Sequence, residues 1–346
     1  MIRPLSAAMI IGLSACTAGS SPPTERGEAA VLWSYDALAS DVRAQSCPEG
    51  VGFQRPKAMP ITASEVPLGD PEIRAEKISG MVLSGVWHLT ADNEEFGGLS
   101  GLDVLNSGSL LTVTDDGKFV WIGIDPETGT PDGIGSIAYM RDRDGKLFPS
   151  KRSADAEDLA VRDGIAFVSF EQDHRISAYD LETCGVAAHA ALVARLIKVV
   201  DRHVLQNNRG AEALTFVGDT LAAGFEVHSQ GGSPIGHVRI DGTLGDIRRT
   251  SQPGLFLLTG MDAEEDLMAY VIRSYDPIRK SRIIVRVDRG DERIASARLE
   301  SPLPVDNIEA VAIGETPSGG TRIWLLSDDN FNDDQRTLLM ALDLTE

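Results

Sequence analysis

The sequence predicts an all-β protein with the fold of a β-propeller. Three observations support this prediction: a short acidic phrase recurs along the chain, a second carboxylate follows each copy, and helical periodicity is scarce. The apolar segments are mostly runs of five to seven residues, which is typical of short strands. A repeated unit of about 50 residues with four such strands has the size of one propeller blade.

The acidic phrase reads DAEDLAV at 155–161, GAEALTF at 210–216 and NIEAVAI at 307–313. A second carboxylate follows each glutamate at the same interval in the first two copies and at a longer one in the third, where 317–320 are an insertion. An earlier copy, GLSGLDV, has Ser100 in the glutamate position and continues to two aspartates. The second carboxylates are Asp115 and Asp116, Glu171, Glu226 and Asp328. One strand–turn–strand unit is therefore used at least four times.

A second set of residues repeats with a similar period. Five predicted strands end in an aspartate that opens a turn, at intervals close to the length of the repeated unit. The turn-rich sequences after these aspartates suit reversals between neighbouring strands. The clearest hairpin signal is DDGKFVWIG, around Asp116 and Gly117, whereas 187–200 could be a helix or an outer strand. The five aspartates are Asp125, Asp180, Asp241, Asp288 and Asp343.

The sequence allows five or six blades, and we favour six. Five units can be counted from Gly97 to Glu346, although the fourth is degenerate, with Gly260 where a glutamate is expected. Because the chain ends on a strand of the last unit, we expect an N-terminal strand to close the ring. ISGMVLSGVWHL at 78–89 lies just before the first unit and is the candidate. Closure would remove exposed sheet edges.

The N-terminal segment 1–30 is typical of a processing signal followed by a tether. Residues 1–15 carry Arg3 and an apolar stretch that is too short to span a bilayer. They are followed by Cys16, and the sequence LSAC resembles the bacterial lipobox, in which the cysteine is lipidated. We therefore expect a lipidated tether over 16–30 and one propeller domain over 31–346. An ordinary secretory peptide with a chance cysteine is the alternative.

The expected location is the bacterial cell envelope, with the protein lipid-anchored to the outer membrane and facing the periplasm. Without the lipidated cysteine, Cys47 and Cys184 remain as an even pair in an oxidising compartment. We expect them to form a disulfide, and two unrelated thiols are the alternative. The chain has no Cys-x-x-Cys or Cys/His cluster, so a thiolate zinc site is not expected.

The charge of the chain restricts its partners. Its 52 acidic and 32 basic residues give a formal net charge of −20 at pH 7. Such a surface repels nucleic acid and anionic lipid headgroups, so we expect neither as a partner. Contact with the membrane is expected through the lipid anchor alone, and the protein is expected to be a monomer.

Radial symmetry would bring the repeated carboxylates together at one end of the central channel. Several carboxylates at close range cannot all stay ionised without a counter-charge, and a hard cation such as Ca²⁺ suits an all-oxygen site. Alternatively, each glutamate could accept backbone N–H bonds from the neighbouring blade and so staple the ring. The predicted metal ligands are Asp115, Glu157, Glu171, Glu212, Glu226, Glu309 and Asp328.

The phrases DAEDLA, NRGAEALT and VSFEQDHRI resemble the bacterial phytase-like family, which is described as having esterase-like activity of phytase. The resemblance extends over 78–344 and implies an exported, often lipid-anchored protein that is similar in fold to β-propeller phytases. Family members commonly have Glu-Gly-Leu-Ala, whereas this chain has EDLA and EALT. The glutamates are kept but the glycine is not, so these positions do not require positive φ.

The resemblance implies Ca²⁺ ions that neutralise phosphate and activate water, and carboxylate-held metal could do both here. Basic donors for a phosphate are Arg209 and Arg175, with Lys151 and Arg152 as second choices. Candidate general acids or bases are His174 and His228, which follow strand-end carboxylates.

The predicted function is envelope-anchored, Ca²⁺-assisted hydrolysis of a small phosphoester or related ester. The alternative is a non-catalytic propeller that binds a ligand or an envelope partner around a structural ion. The shortage of clustered lysine and arginine favours the alternative. Serine nucleophile chemistry is not expected, because Ser100 lacks the Gly-x-Ser-x-Gly spacing.

Overall fold

The computed structural model describes residues 30–200, 202–206, 209–227, 231–278 and 280–345. The predicted signal peptide and Cys16 lie outside these ranges. The described chain begins with helix α1, after Ser34, whose Oγ accepts a hydrogen bond from the Ala37 N–H. Helix α2 follows Asp70, which caps it through the N–H groups of Glu72 and Ile73. The first elements are α1 (Tyr35–Ser46), β1 (Lys57–Ala58), β2 (Ile61–Glu65), α2 (Pro71–Lys77), β3 (Ile78–Ser79) and β4 (Met81–Ala91).

The rest of the described chain forms five consecutive antiparallel units. Units 1 and 2 are β5 (Leu99–Val104), β6 (Leu110–Thr114), β7 (Lys118–Ile124), β8 (Pro131–Tyr139), α3 (Lys151–Ala154), β9 (Ala156–Arg162), β10 (Ile165–Phe170), β11 (Arg175–Asp180) and β12 (Ala191–Arg195). A hairpin and unit 3 follow as β13 (Val199–Val200), β14 (His203–Val204), β15 (Ala211–Val217), β16 (Thr220–Phe225), β17 (Pro234–Val238) and β18 (Leu244–Arg249). Units 4 and 5 are β19 (Leu257–Glu264), β20 (Leu267–Asp276), β21 (Lys280–Arg289), β22 (Glu292–Leu299), β23 (Ile308–Glu315), β24 (Thr321–Ser327) and β25 (Leu338–Leu344).

These units are the blades of a five-bladed propeller. The first strand of each blade lies innermost and contacts the first strands of both neighbouring blades, which gives the closed order β5, β9, β15, β19, β23 and back to β5. The protein is therefore a β-propeller, as predicted, and the favoured count of six blades is wrong. The stretch 187–200 contains strands β12 and β13 and no helix.

The N-terminal strand closes the ring by completing a blade. Strand β4 pairs with β25, from Met81 opposite Leu344 to His88 opposite Leu338, and so becomes the fourth strand of blade 5. Strand β2 extends the same sheet, while β1 and β3 extend blades 1 and 4. The prediction that 78–89 closes the ring is confirmed. The count is five because this segment adds to an existing blade and does not start a sixth.

The second strands of blades 1, 2, 3 and 5 lie deep in the core. All residues of β6 and β10 are buried, which explains why LLTVT and IAFVSF are continuous runs without an exposed face. Helix α1 covers the outside of blades 2 and 3. Trp33, just before the helix, and Tyr35, its first residue, pack against Phe167. A disulfide links Cys47, at the end of α1, to Cys184, with Cα atoms 5.7 Å apart, as predicted.

The two repeated sets of acidic residues lie at opposite faces of the propeller. In an antiparallel blade the first strand begins where the second ends, so the predicted carboxylate pairs share one face, which we call the mouth face. The second set, from Asp125 to Asp343, lies at or just beyond the ends of the third strands, and so at the other face. In the described ranges no helix combines the length and the apolar composition that crossing a membrane requires.

Candidate functional site

The inner strands carry a β-bulge near the predicted glutamates. In blade 3, Ala211 pairs with Phe225 and Ala213 with Gly224, so Glu212 is the extra residue. The same shift occurs at Glu309 in blade 5. Bulges of this kind redirect a side chain and are frequent next to functional sites.

Blade 4 follows the pattern with different residues. Leu258 pairs with Ile272 and Gly260 with Val271, so Thr259 occupies the glutamate position. The assignment of Gly260 to that position is therefore wrong by one residue. Arg273 comes directly after Ile272, the residue that pairs with Leu258. The sequence interval from Thr259 to Arg273 equals the interval between the two glutamates of blade 2 and of blade 3. One cation thus replaces a carboxylate in the second set.

Arg273 links three blades by electrostatic contacts. Its Nη1 lies 2.7 Å from Oε1 of Glu309 and its Nη2 lies 3.7 Å from Oε1 of Glu226. It also donates a hydrogen bond to the side-chain oxygen of Asn307. Burial acts to lower the pKa of Arg273, but Glu309, Glu226 and Glu212 raise it overall. The protein therefore supplies part of the counter-charge that the carboxylates need.

The remaining carboxylates are close enough to disfavour one another's charged forms. Burial, then Glu212 and Glu171, hold the pKa of Glu157 well above its usual value. Burial and Asp155 raise the pKa of Glu171 to about 7. Burial and Glu309 are the largest causes that raise the pKa of Asp328 to about 8. The predicted convergence of carboxylates from different blades is therefore present, and we call these residues the acidic ring. Its members are Asp115, Asp155, Glu157, Glu171, Glu212, Glu226, Glu309 and Asp328.

The densest part of the acidic ring lies in blade 2. Asp155, Glu157 and Glu171 each place one carboxylate oxygen within 4.8 Å of a carboxylate oxygen of the other two. The Glu171 N–H donates to the Asp155 carbonyl at 2.9 Å, which holds these strand ends together. Asp155 was missed as a ligand, although it opens the repeated phrase DAEDLAV. A Cβ on Gly210 would lie 2.8 Å from the Glu171 Cα, so this position needs a glycine.

The donor set of this cluster fits a hard divalent cation. All three donors are carboxylate oxygens, which Ca²⁺ prefers over nitrogen or sulfur ligands. Nearby in the acidic ring, Oδ1 of Asp115 is buried without a hydrogen-bond partner in the described part of the chain. Its other oxygen, Oδ2, lies 2.5 Å from Nζ of Lys151. The cluster is therefore able to hold a metal, and its donors do not by themselves define which ion.

Three aspartates of the inner strands accept backbone N–H groups from neighbouring blades and so staple the blades together. Oδ2 of Asp158 accepts the Leu214 N–H at 2.7 Å, and Oδ2 of Asp262 accepts the Ile313 N–H at 2.7 Å, each across a blade boundary. Asp103 accepts the Val161 N–H in the same way. In the described contacts, Glu212 instead accepts an N–H from its own blade, that of Gly210. The stapling predicted as an alternative for the glutamates is therefore performed by aspartates.

The two arginines predicted to bind phosphate lie in different surroundings. Arg209 lies near the acidic ring, because its charge and that of Arg273 oppose the burial that raises the pKa of Glu226. Arg175 instead stacks on Phe170, with its guanidinium carbon 3.7 Å from the ring centre. It also donates to the Ser153 carbonyl at 2.7 Å and to Asp173 at 3.1 Å.

Of the two predicted histidines, His174 belongs to the described residues. His174 is buried, and burial together with the charge of Lys198 lowers its pKa. His228 lies outside the described residues. The catalytic roles predicted for both histidines and for Arg175 and Arg209 stay predictions.

A cavity of about 830 Å³ opens beside the acidic ring on the mouth face. Blades 3, 4 and 5 line it with acidic, amide, hydroxyl and basic side chains. Because Glu226, Arg273 and Glu309 belong to its wall, a molecule in the cavity would contact the acidic ring directly. Its other polar lining residues include Tyr275, Lys280, Asn307, Asn330, Asn332 and Gln335.

The fold and site define a propeller with an acidic channel mouth, and one family model matches part of it. Residues 94–245 match the phytase-like family, described as "esterase-like activity of phytase". This range covers the two carboxylate pairs of blades 2 and 3 and Asp115 of blade 1. No curated protein sequence matches the chain.

Several solved structures are distantly similar to the chain. The PQQ-bound aldose sugar dehydrogenase of Streptomyces coelicolor is 15% identical with a TM-score of 0.41, over 74% of this chain and 98% of that one. The glutaminyl cyclase of Myxococcus xanthus is 14% identical with a TM-score of 0.42, over 72% of this chain and 92% of that one. These similarities are too distant to indicate a shared function.

Proposed function

We propose that the protein is a metal-assisted hydrolase of a small phosphoester or related ester, and that it acts at the acidic ring. The observation that carries this proposal is the convergence of Asp155, Glu157 and Glu171, whose ligand oxygens lie within 4.8 Å of one another. The match of 94–245 to the phytase-like family supports it. Ca²⁺ is the proposed ion, because it accepts carboxylate oxygens as ligands and is the ion that the resemblance to phytase-like proteins implies.

The chain's own residues would divide the work of such a reaction. A bound divalent ion would supply neutralisation of the ester's negative charge and activation of a water molecule. Arg209 adds positive charge to the same region and would orient an anionic group, whereas Arg273 is paired with Glu309. The pKa of Glu171 is raised to about 7 in the metal-free chain, so this carboxyl group would lose its proton when it binds the ion and would then serve as a ligand. The cavity of about 830 Å³ would hold the rest of the substrate.

A non-catalytic role is the second candidate, and the existing ion pairs favour it. Arg273 is paired with Glu309 and Lys151 with Asp115, so neither is free to bind a highly charged phosphate ester. In this case the acidic ring would hold a structural ion, and the cavity would bind a neutral ligand or an envelope partner.

We also propose that the protein works in the cell envelope as a lipid-anchored monomer. Lipidation at Cys16 would attach it to the membrane, with residues 16–30 as the tether. The disulfide between Cys47 and Cys184 is consistent with an oxidising compartment such as the periplasm.

The decisive experiment combines metal analysis with a hydrolase screen. Purified protein is analysed for bound metal and assayed on phosphoesters, carboxylic esters and lactones, with and without Ca²⁺. Glu157→Gln should lower the metal content and reduce activity about a hundredfold or more, on the scale of a lost catalytic group. The matched control is Glu127→Gln, an exposed glutamate at the opposite face, which should change neither.

The outcomes separate the two candidates. Metal binding without hydrolysis of any substrate class favours the non-catalytic role. Activity that is indifferent to both Ca²⁺ and Glu157→Gln would refute metal-assisted hydrolysis at the acidic ring.

A further inference from the structure

A second cavity on the mouth face, of about 370 Å³, lies against blade 2 and outside the acidic ring. It is formed by the connection before β9, the turn between β10 and β11, and the segment that follows β12. Its wall is basic, in contrast to the chain as a whole, which has a net charge of −20. The charged and titratable residues that line it are Arg152, Asp173, His174, Arg195 and Lys198.

His174 is the buried member of this wall, with only 4% of its surface exposed. Neither ring nitrogen has a hydrogen-bond partner in the described part of the chain. The backbone of Gln206 lies near the ring and acts to raise its pKa, against the larger effect of burial. The His174 main chain is fixed by hydrogen bonds with Glu171 and Leu196. A buried polar group without a partner costs free energy, so a ligand that bonds it would recover that cost.

The positive charge of the cavity is only partly neutralised. Asp173 pairs with Arg195 and with Arg175, each at 3.1 Å. Arg152 and Lys198 are exposed and form no ion pair among the described contacts. Arg152, Lys198 and the imidazole therefore line the same space, and Asp173 is the one carboxylate among the described residues that line it.

We propose that this cavity binds a phosphate- or sulfate-type oxyanion, either free or carried by a small molecule. Guanidinium and ammonium groups are the side chains that recognise such anions, and the imidazole of His174 adds a donor at the buried end. The site goes beyond the proposed hydrolase function, because its residues hold an anion without a metal.

The cavity is also connected to the acidic ring. The Gln172 side chain lines the cavity, and its Nε2 donates to Oδ2 of Asp155 at 2.6 Å. An anion bound here would therefore lie beside the carboxylates without entering the ring. This position separates the two sites chemically: one favours cations and the other favours anions.

The test is titration of full-length, metal-free protein with inorganic phosphate by calorimetry, at constant ionic strength maintained with chloride. Arg152→Gln and Lys198→Gln should each weaken phosphate binding about two- to fivefold, the scale of one partly screened charge. The matched controls, Arg55→Gln and Lys57→Gln, replace exposed cations at the outer edge of blade 1 and should leave binding unchanged.

Two further measurements address the buried histidine and the type of anion. His174→Gln should weaken phosphate binding without lowering the melting temperature, because the ring has no hydrogen-bond partner in the described part of the chain to lose. Sulfate should compete with phosphate, whereas acetate should compete poorly. Tighter binding of glycerol phosphate than of phosphate would indicate an organic ester as the ligand, and equal binding would indicate the free ion.

The proposal is overturned if phosphate does not bind, or if the variants and their controls bind it equally. Acetate binding as tight as that of phosphate would also overturn it. Because the titration uses metal-free protein, none of these results depends on whether the acidic ring is a hydrolase.

Discussion

The guanidinium of Arg273 in blade 4 lies 2.7 Å from the carboxylate of Glu309 in blade 5. Arg273 stands where the other four blades have Asp115, Glu171, Glu226 and Asp328. The repeat therefore departs from its acidic pattern at the position where one cation can contact several carboxylates. This substitution reduces the repulsion inside the ring, while the blade 2 cluster has no ion pair of its own among the described contacts.

Removal of this cation should destabilise the protein. Arg273→Gln leaves Glu226 and Glu309 partly buried without their counter-charge, and breaking such a pair costs about 3 kcal/mol. The free energy of unfolding is measured by urea denaturation of metal-free protein. The control Arg298→Gln breaks an exposed pair with Glu300 and should cost less than about 1 kcal/mol. Equal losses in both variants would contradict a role for Arg273 as counter-charge.

The aspartate staples should matter for stability more than exposed aspartates do. Asp158→Ala leaves the buried Leu214 N–H without its acceptor, at a cost of about 1–3 kcal/mol. Asp158→Asn keeps one acceptor oxygen and should lose less. The same urea experiment on Asp144→Ala, which removes an exposed carboxylate, should show almost no change. A loss in Asp158→Ala no larger than in this control would refute the staple.

The inner strands and the ring-closing strand could be predicted from the sequence, but the number of blades could not. The repeated phrase marks the inner strands, because each inner strand has a bulge at or next to this position. The position of 78–89 was also predictable, since the last unit lacks a strand. Whether such a strand starts a blade or completes one depends on its pairing with β25, and both arrangements have the same local pattern.

The candidate site could be predicted in the blades that carry the repeated carboxylates. It was missed in blade 4, where a threonine and an arginine take their places. Thr259 and Arg273 keep the interval of the paired glutamates, so the spacing alone would have found them, whereas a search for acidic residues passes over them. The staples could not be predicted, because the N–H that Asp158 accepts belongs to another blade. Arg175 illustrates the same difficulty: proximity in sequence to Glu171 does not show that its guanidinium stacks on Phe170.

The disulfide should contribute substantially to stability. Cys47 and Cys184 are separated by 137 residues, and removal of such a cross-link typically costs about 2–5 kcal/mol. Replacing both cysteines by serine should lower the melting temperature, and reduction of the native protein should produce a similar loss. Mass mapping without reductant should show the two peptides linked. Two freely alkylated thiols in protein purified from the envelope would contradict this.

The lipid anchor is tested by Cys16→Ser. If Cys16 is lipidated, this variant should leave the membrane fraction or remain unprocessed, because two or more acyl chains are needed for stable attachment. The control Ser20→Ala lies in the same tether and should stay in the membrane fraction. Membrane association of Cys16→Ser that equals that of the unmodified protein would refute lipidation at this residue.

The acidic ring predicts that metal-free protein loses stability as pH rises. The pKa of Glu171 is raised to about 7 and that of Asp328 to about 8, so the native state binds more protons than the unfolded state. The free energy of unfolding from these groups therefore falls from about pH 4 to about pH 8, and the penalty is absent below the unfolded pKa values. The lowered pKa of His174 and His237 acts in the opposite direction.

A comparison with Glu171→Gln isolates the contribution of the ring, since both histidines are present in both proteins. Urea denaturation across this pH range should show a less negative slope for Glu171→Gln than for the native sequence. Added Ca²⁺ should flatten the slope of the native protein and raise its stability at the upper end, by about 2.7 kcal/mol at a hundredfold excess over its dissociation constant. Glu127→Gln should behave as the native protein does. Identical slopes for the native protein and Glu171→Gln, with no response to Ca²⁺, would show that the ring neither titrates in this range nor binds this ion.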